Sequence, residues 1–161
     1  MQVRIENLQR KNLLGLRLQM SLAQNRTAEL WRNFIPLRKQ IKNPVSSDLF
    51  SVDLYDENYF RNFHPNNQFE KWAAAEVKDF NDELPGLEKL IIPPGLYAAF
   101  TYKGKASEGT KAYQYIFNEW LPASGYELDQ RPHFALMGEK YRNDDPESEE
   151  ELWIPVRKKT S

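Results

Sequence analysis

The chain contains no cysteine in its 161 residues. Disulfides, thiolate metal ligands and a cysteine nucleophile are excluded together, which fits a cytoplasmic setting. The two histidines, His64 and His133, lie far apart with no metal-ligand spacing around either, so no metal site is expected. The seven glycines never approach the spacing of a phosphate-binding loop, and serine nucleophile motifs are missing, so no cofactor is called for. No apolar run approaches the roughly 20 residues of a membrane-spanning helix, and Met1 to Arg10 lacks the apolar stretch of a secretory leader. Charge of one sign is lacking too. With 22 basic and 23 acidic residues the net charge is -1, which leaves no electrostatic footprint for phosphate backbones and no expectation of direct nucleic-acid binding.

What is abundant is aromatic surface, 13% of residues, with four Trp and eight Tyr. Such rings build cores, and they also line pockets for flat or cationic ligands. The length fits one domain. In LLGLRLQMSL apolar and polar residues alternate, as in a half-buried strand. Asn25 or Thr27 can cap the helix that follows, whose apolar positions Leu30, Trp31, Phe34, Leu37 and Ile41 recur at helical spacing; Pro36 should bend or loosen it. A strand in LFSVDLY comes next, and FEKWAAAEV suits helix by its alanines or strand by its position.

DELPGLEKLIIPPG reads as a loop, after which the order repeats: strand YAAFTYKG, a helix from about Ser107 to Leu121, then strands HFALMGEKY and ELWIPV. Strand, helix, strand, strand twice over predicts an α+β domain of duplicated modules with pseudo-twofold symmetry. The first module covers about 1–80 and the second about 95–158, with helices packed on a largely antiparallel sheet. Laying Trp72 on Trp153 also brings Glu70 opposite Glu151. Strand alternation puts Glu151 on the side of Trp153, with Leu152 and Ile154 opposite. Taken alone, Glu149, Glu150 and Glu151 fit solvated gatekeepers ahead of a buried strand; the alternative carries Glu151 inward.

The phrases IPPGLYAAFTYKG, YIFNEWLPASGYELDQRPHF and EEELWIPV, with weaker support from LWRNFIPLRKQI and FEKWAAAEV, resemble the GyrI-like small-molecule-binding family, the effector-binding domain of AraC-type and multidrug-responsive regulators. The resemblance implies an aromatic pocket between the modules for hydrophobic, often cationic compounds, with a glutamate of the last strand inside it. Glu151 matches that glutamate, and Trp153, Trp120, Tyr97 and Trp72 are the candidate linings, so Glu151→Gln is expected to abolish cation binding. One departure stands out: the position after Phe134, often acidic in the family, is Ala135. The regulators place a DNA-binding segment ahead of this domain, whereas here the first strand comes almost at once; a stand-alone sensor or sequestering protein is the expectation. Two rivals follow from the same resemblance. One is hydrolysis of small electrophilic compounds by a pocket glutamate with a tyrosine. The other is inhibition of a protein partner, after the gyrase modulator that gives the family its name.

Overall fold

The computed structural model describes residues 1–160. Its strands are β1 (Gln2–Leu8), β2 (Lys11–Ser21), β3 (Pro44–Leu54), β4 (Gln68–Val77), β5 (Glu88–Ile92), β6 (Gly95–Lys103), β7 (Tyr126–Leu128), β8 (His133–Met137) and β9 (Glu149–Lys158). Helix α1 (Thr27–Arg38) joins β2 to β3. Between β6 and β7 the chain runs through a 3-10 turn (Ala106–Glu108), α2 (Thr110–Tyr115), a π-helical turn (Ile116–Trp120) and α3 (Leu121–Ala123).

The sheet is antiparallel, with strand order β1-β6-β9-β8-β3-β4-β2-β5 and β7 beside the end of β9. Read outward from the β8–β3 seam, the two halves match, which is the duplicated, pseudo-twofold α+β fold the sequence order implies. The register locates the axis. Trp72 pairs with Val52, Trp153 pairs with Phe134, and Val52 and Phe134 pair with each other across the seam.

Three strands went unseen in the sequence: β1, β5 and the three-residue β7. β1 lies in the polar opening segment, and β5 lies inside DELPGLEKLIIPPG, which reads as a loop. Each follows its own module's edge across to the other module: β1 pairs with β6 and β5 with β2. Both are largely exposed edge strands, so they carry little of the apolar alternation by which a buried strand is recognised. Only two residues separate β1 from β2 and β5 from β6, yet those strands occupy opposite ends of the sheet order. The sheet must therefore curve until its two edges meet, where Leu8 pairs with Gly95 and Lys11 with Ile92.

This curvature separates two faces. The enclosed face holds Leu8, Leu13, Phe50, Val52, Trp72, Tyr97, Phe134 and Trp153 as one core. On the outer face α1 packs Leu30 and Phe34 against Leu14, Ala73, Ala75 and Val77, while α2 and its π-helical extension pack Ala112 and Ile116 against Ala98, Phe100, Leu152 and Ile154. FEKWAAAEV is strand β4, and its alanines serve close approach rather than helix: Ala73 and Ala75 are the floor on which α1 sits, and Ala74 faces the enclosed side. Gly15 reflects a separate closeness, between β2 and β4, where a Cβ would collide with the Ala73 carbonyl oxygen and Ala74. Neither expected residue is the cap of α1: Arg26 stands there without a side-chain cap, Asn25 Oδ1 accepts from the Thr27 amide at 2.9 Å in a turn just ahead of it, and the helix ends at Arg38, soon after Pro36.

Candidate functional site

Glu151, Trp153, Tyr97 and Trp72 come together on the enclosed face or its rim. Trp120 does not, because it lies on the outer face, edge-on to Phe100 at 4.9 Å and stacked on Tyr126 at 6.4 Å. Glu151 sits at the rim with 28% of its side chain exposed. It accepts hydrogen bonds from Arg4 Nη1 at 2.8 Å and from the Trp153 indole at 3.2 Å, and the Arg4 guanidinium stands 5.4 Å from the Trp153 ring centroid. The symmetry noticed in the sequence is physical: Glu70 accepts from the Trp72 indole at 2.7 Å and from Arg17 at 3.4 Å. Behind these rims the rings are packed. Phe134 stacks on Trp153 at 5.4 Å and touches Tyr97 and Phe50, each at 5.5 Å, while the Tyr97 hydroxyl donates to the Pro132 carbonyl at 2.8 Å. Trp72 and Trp153 are 4% and 7% exposed, so the enclosed face is a filled core with a charged rim.

The outer face differs. β3 and β8, the central strands, lie between the two helix-covered halves, and their outward residues at the axis are small: Ser51 pairs with Ala135. Beside that floor, the register aligns Lys71, Asp53 and His133 across β4, β3 and β8. Glu150, on the same side of β9 as Leu152 and Ile154, approaches from the second module. The connection after β3 closes one end of this groove with rings. Tyr55 meets His133 edge-on at 4.9 Å and Phe60 at 4.9 Å, and Phe60 stacks on His133 at 5.6 Å and reaches Phe117 at 5.0 Å. A cleft of about 600 Å³ opens at that end, lined in part by Tyr55, Phe60, Leu121, Tyr126, Arg131 and His133. A second, of about 300 Å³, lies beside Arg38, Ile41 and Ala75; neither is bordered by Glu151 or Trp153, nor by Asp53, Lys71 or Glu150.

Burial sets the electrostatics of the groove. Asp53 is held above the usual carboxylate range by loss of solvent, opposed by the Lys71 ammonium. Its Oδ1 is out of reach of solvent, with Lys71 Nζ 3.5 Å away as its charge partner, and the Lys71 ammonium and Tyr55 hydroxyl both lean on the carboxyl and hold its rise in check. Burial likewise raises Glu150, with Lys71 opposing, and pushes Tyr55 and Tyr113 well above the ordinary tyrosine value. It lowers His133 from 6.5 to about 3, helped by nearby Arg131. Near neutral pH the groove thus offers un-ionised tyrosines, a neutral imidazole and two acids whose charged forms lack solvation.

The whole-chain comparison decides the family. Residues 1–157 match the family described as the GyrI-like small molecule binding domain. The chain belongs to the GyrI-like family. Among its relatives are the transcriptional regulator BrlR of Pseudomonas aeruginosa, 27% identical over 80% of this chain and 45% of the regulator, and a DNA gyrase inhibitor of Erwinia billingiae, 40% identical over 47% of this chain and 51% of the inhibitor. The chain thus spans about half the length of the curated relatives it matches. The solved structure of SAV2435 bound to tetraphenylphosphonium shares the fold, with a TM-score of 0.68, 15% identity and coverage of 98% of this chain and 94% of that one.

Sequence reasoning about this GyrI-like domain overlooked Asp53, Lys71, Glu150, Tyr55, Tyr113 and His133. A signal was there for two of them. Asp53 is out of phase with Phe50, Val52 and Leu54, and Glu150 is in phase with Leu152 and Ile154, so both point to the side the helices cover. Ala135 lies on the groove floor opposite Ser51, and Asp53 supplies a carboxylate from the neighbouring strand, where it pairs with His133.

Proposed function

We propose that this GyrI-like domain binds small hydrophobic cations in the groove between α1 and α2, as a ligand sensor or a sequestering protein. Asp53 and Glu150 meet the positive charge, and the rings of Tyr55, Phe60, Tyr113 and Phe117 meet the apolar body. The observation that carries the proposal is the buried Asp53 carboxyl, whose enclosed oxygen has the Lys71 ammonium at 3.5 Å and no close hydrogen bond. Buried carboxylates are nearly always closely partnered, so a carboxyl held this loosely, with burial disfavouring its charge, is a place where a second positive group is rewarded. Aromatic faces around a desolvated cation add about 0.5–2 kcal/mol each. Further support comes from SAV2435, which shares the fold and was solved with a lipophilic cation, and from BrlR, a regulator.

The test compares tetraphenylphosphonium with triphenylphosphine oxide, a neutral compound of similar body, in thermal unfolding and titration calorimetry. A ligand at a hundredfold excess over its dissociation constant stabilises by about 2.7 kcal/mol. That is a rise in Tm of about 5–11 °C for a domain of this size. Stabilisation by the cation alone is expected; equal stabilisation by both compounds, or by neither, contradicts the proposal.

A second location for the cation is favoured by the rim geometry. Arg4 already places a positive group against Glu151 and over the Trp153 ring, the arrangement a ligand cation would copy. Use of this location requires Arg4 to swing out, which its 44% exposure permits. Glu151→Gln would then weaken binding, while Asp53→Asn would not.

A further inference from the structure

A groove for cations that already contains a cation has its ligand charge set from within. Lys71 lies opposite Asp53 in the β3–β4 pairing, with its Nζ 3.5 Å from Asp53 Oδ1 and 6.0 Å from the Phe69 ring centroid. Both side chains are largely covered, 17% and 14% exposed, so the ammonium is a fixed part of the groove rather than a solvated surface charge. Two other basic groups near the groove are held by other partners. Arg131 pairs with Asp129 at 3.0 Å and donates to the Leu96 and Val156 carbonyls through Nη2, while its buried Nη1 has no hydrogen-bond partner, and Arg38 donates to the Ser47 carbonyl at 2.7 Å.

We infer that Lys71 is the specificity-determining residue of the groove, limiting its ligands to a single positive charge. The inference rests on the proposed cation site. When Asp53 and Glu150 are both ionised, the state an incoming cation favours, they exceed the one ammonium by a single negative charge, with His133 and the tyrosines uncharged. A monocation brings it to neutrality. A dication of similar body overcharges a poorly solvated site, and like charges in such surroundings repel strongly. Removing the ammonium leaves two negative charges, which suits a dication; removing one carboxylate as well returns the balance to a single charge.

The experiment measures affinities of tetraphenylphosphonium, a bis(triphenylphosphonium) alkane and triphenylphosphine oxide for the wild-type chain, Lys71→Met, Lys71→Gln and the double variant Asp53→Asn with Lys71→Met. Circular dichroism melts verify folding, and the glutamine variant stands in where methionine impairs it. The wild type should prefer the monocation. Either Lys71 variant should shift the dication-to-monocation affinity ratio by about tenfold or more towards the dication, and the double variant should restore the wild-type ratio. A purely structural lysine would weaken all three compounds alike. An unchanged ratio in a wild type that binds cations overturns the role of Lys71 and leaves the cation site standing. A wild type that binds no cation, or binds the neutral compound equally, overturns both.

Discussion

Replacing Asp53 with asparagine keeps the side chain's shape and removes its charge, so it isolates the electrostatic part of the proposed site. A carboxylate and a cation centre about 5 Å apart, at an effective dielectric constant of about 20, attract by about 3 kcal/mol before desolvation. Desolvation of the ligand removes about half of this. The substitution has a further effect, because Lys71, 3.5 Å away, loses its partner and repels the incoming charge. The two contributions together predict a loss of at least about 2 kcal/mol, or about thirtyfold in affinity for tetraphenylphosphonium. Triphenylphosphine oxide, which does not need the carboxylate, should be unaffected. Titration calorimetry on folded wild-type and variant chains measures this. A loss below about threefold, which corresponds to less than 1 kcal/mol, would refute a direct role for the Asp53 charge.

Other outcomes are specific to single features. Glu151→Gln should leave cation affinity within about twofold if the groove is the site, and should abolish it if the Trp153 rim is; calorimetry on this variant beside Asp53→Asn separates the two locations. Phe134→Ala, at the axis between Trp153, Tyr97 and Phe50, should destabilise the fold by about 3–5 kcal/mol, read from denaturant midpoints. Gly15→Ala should destabilise as well, by more than about 1 kcal/mol, since a Cβ has no room beside the Ala73 carbonyl; an unchanged Tm would refute the tight β2–β4 contact. His133 binds its proton less readily folded than unfolded, so the stability it confers is complete above pH 6.5 and is lost as pH falls towards about 3. The slope approaches about 1.4 kcal/mol per pH unit in that window, and His133→Phe should flatten it.

The duplicated fold was legible because each central strand buries one face and each helix buries a stripe, and both leave periods in the sequence. Edge strands leave none: Glu88–Ile92 forms through pairing to β2 rather than through its own burial. Residues on the enclosed face were grouped correctly by parity, since Glu151 and Trp153 do share a side. Parity does not say which side has room. That depends on curvature, and the curvature comes from β1 and β5 crossing to the opposite modules, a long-range pairing invisible in local pattern. Trp120 fell on the other side for the same reason, as a helix residue facing Phe100 rather than the module interface. The groove's acids lie on strands whose apolar neighbours looked like core, so Asp53 was passed over as a break in a strand pattern.

The location of the bound cation is the most direct test. In a crystal structure of the chain with tetraphenylphosphonium, the phosphorus should lie between α1 and α2 over Ser51 and Ala135, with Asp53 the nearest carboxylate and Lys71 drawn away from it. Phosphorus found over Trp153 beside Glu151, with Arg4 displaced and the groove unchanged, would contradict the groove as the binding site.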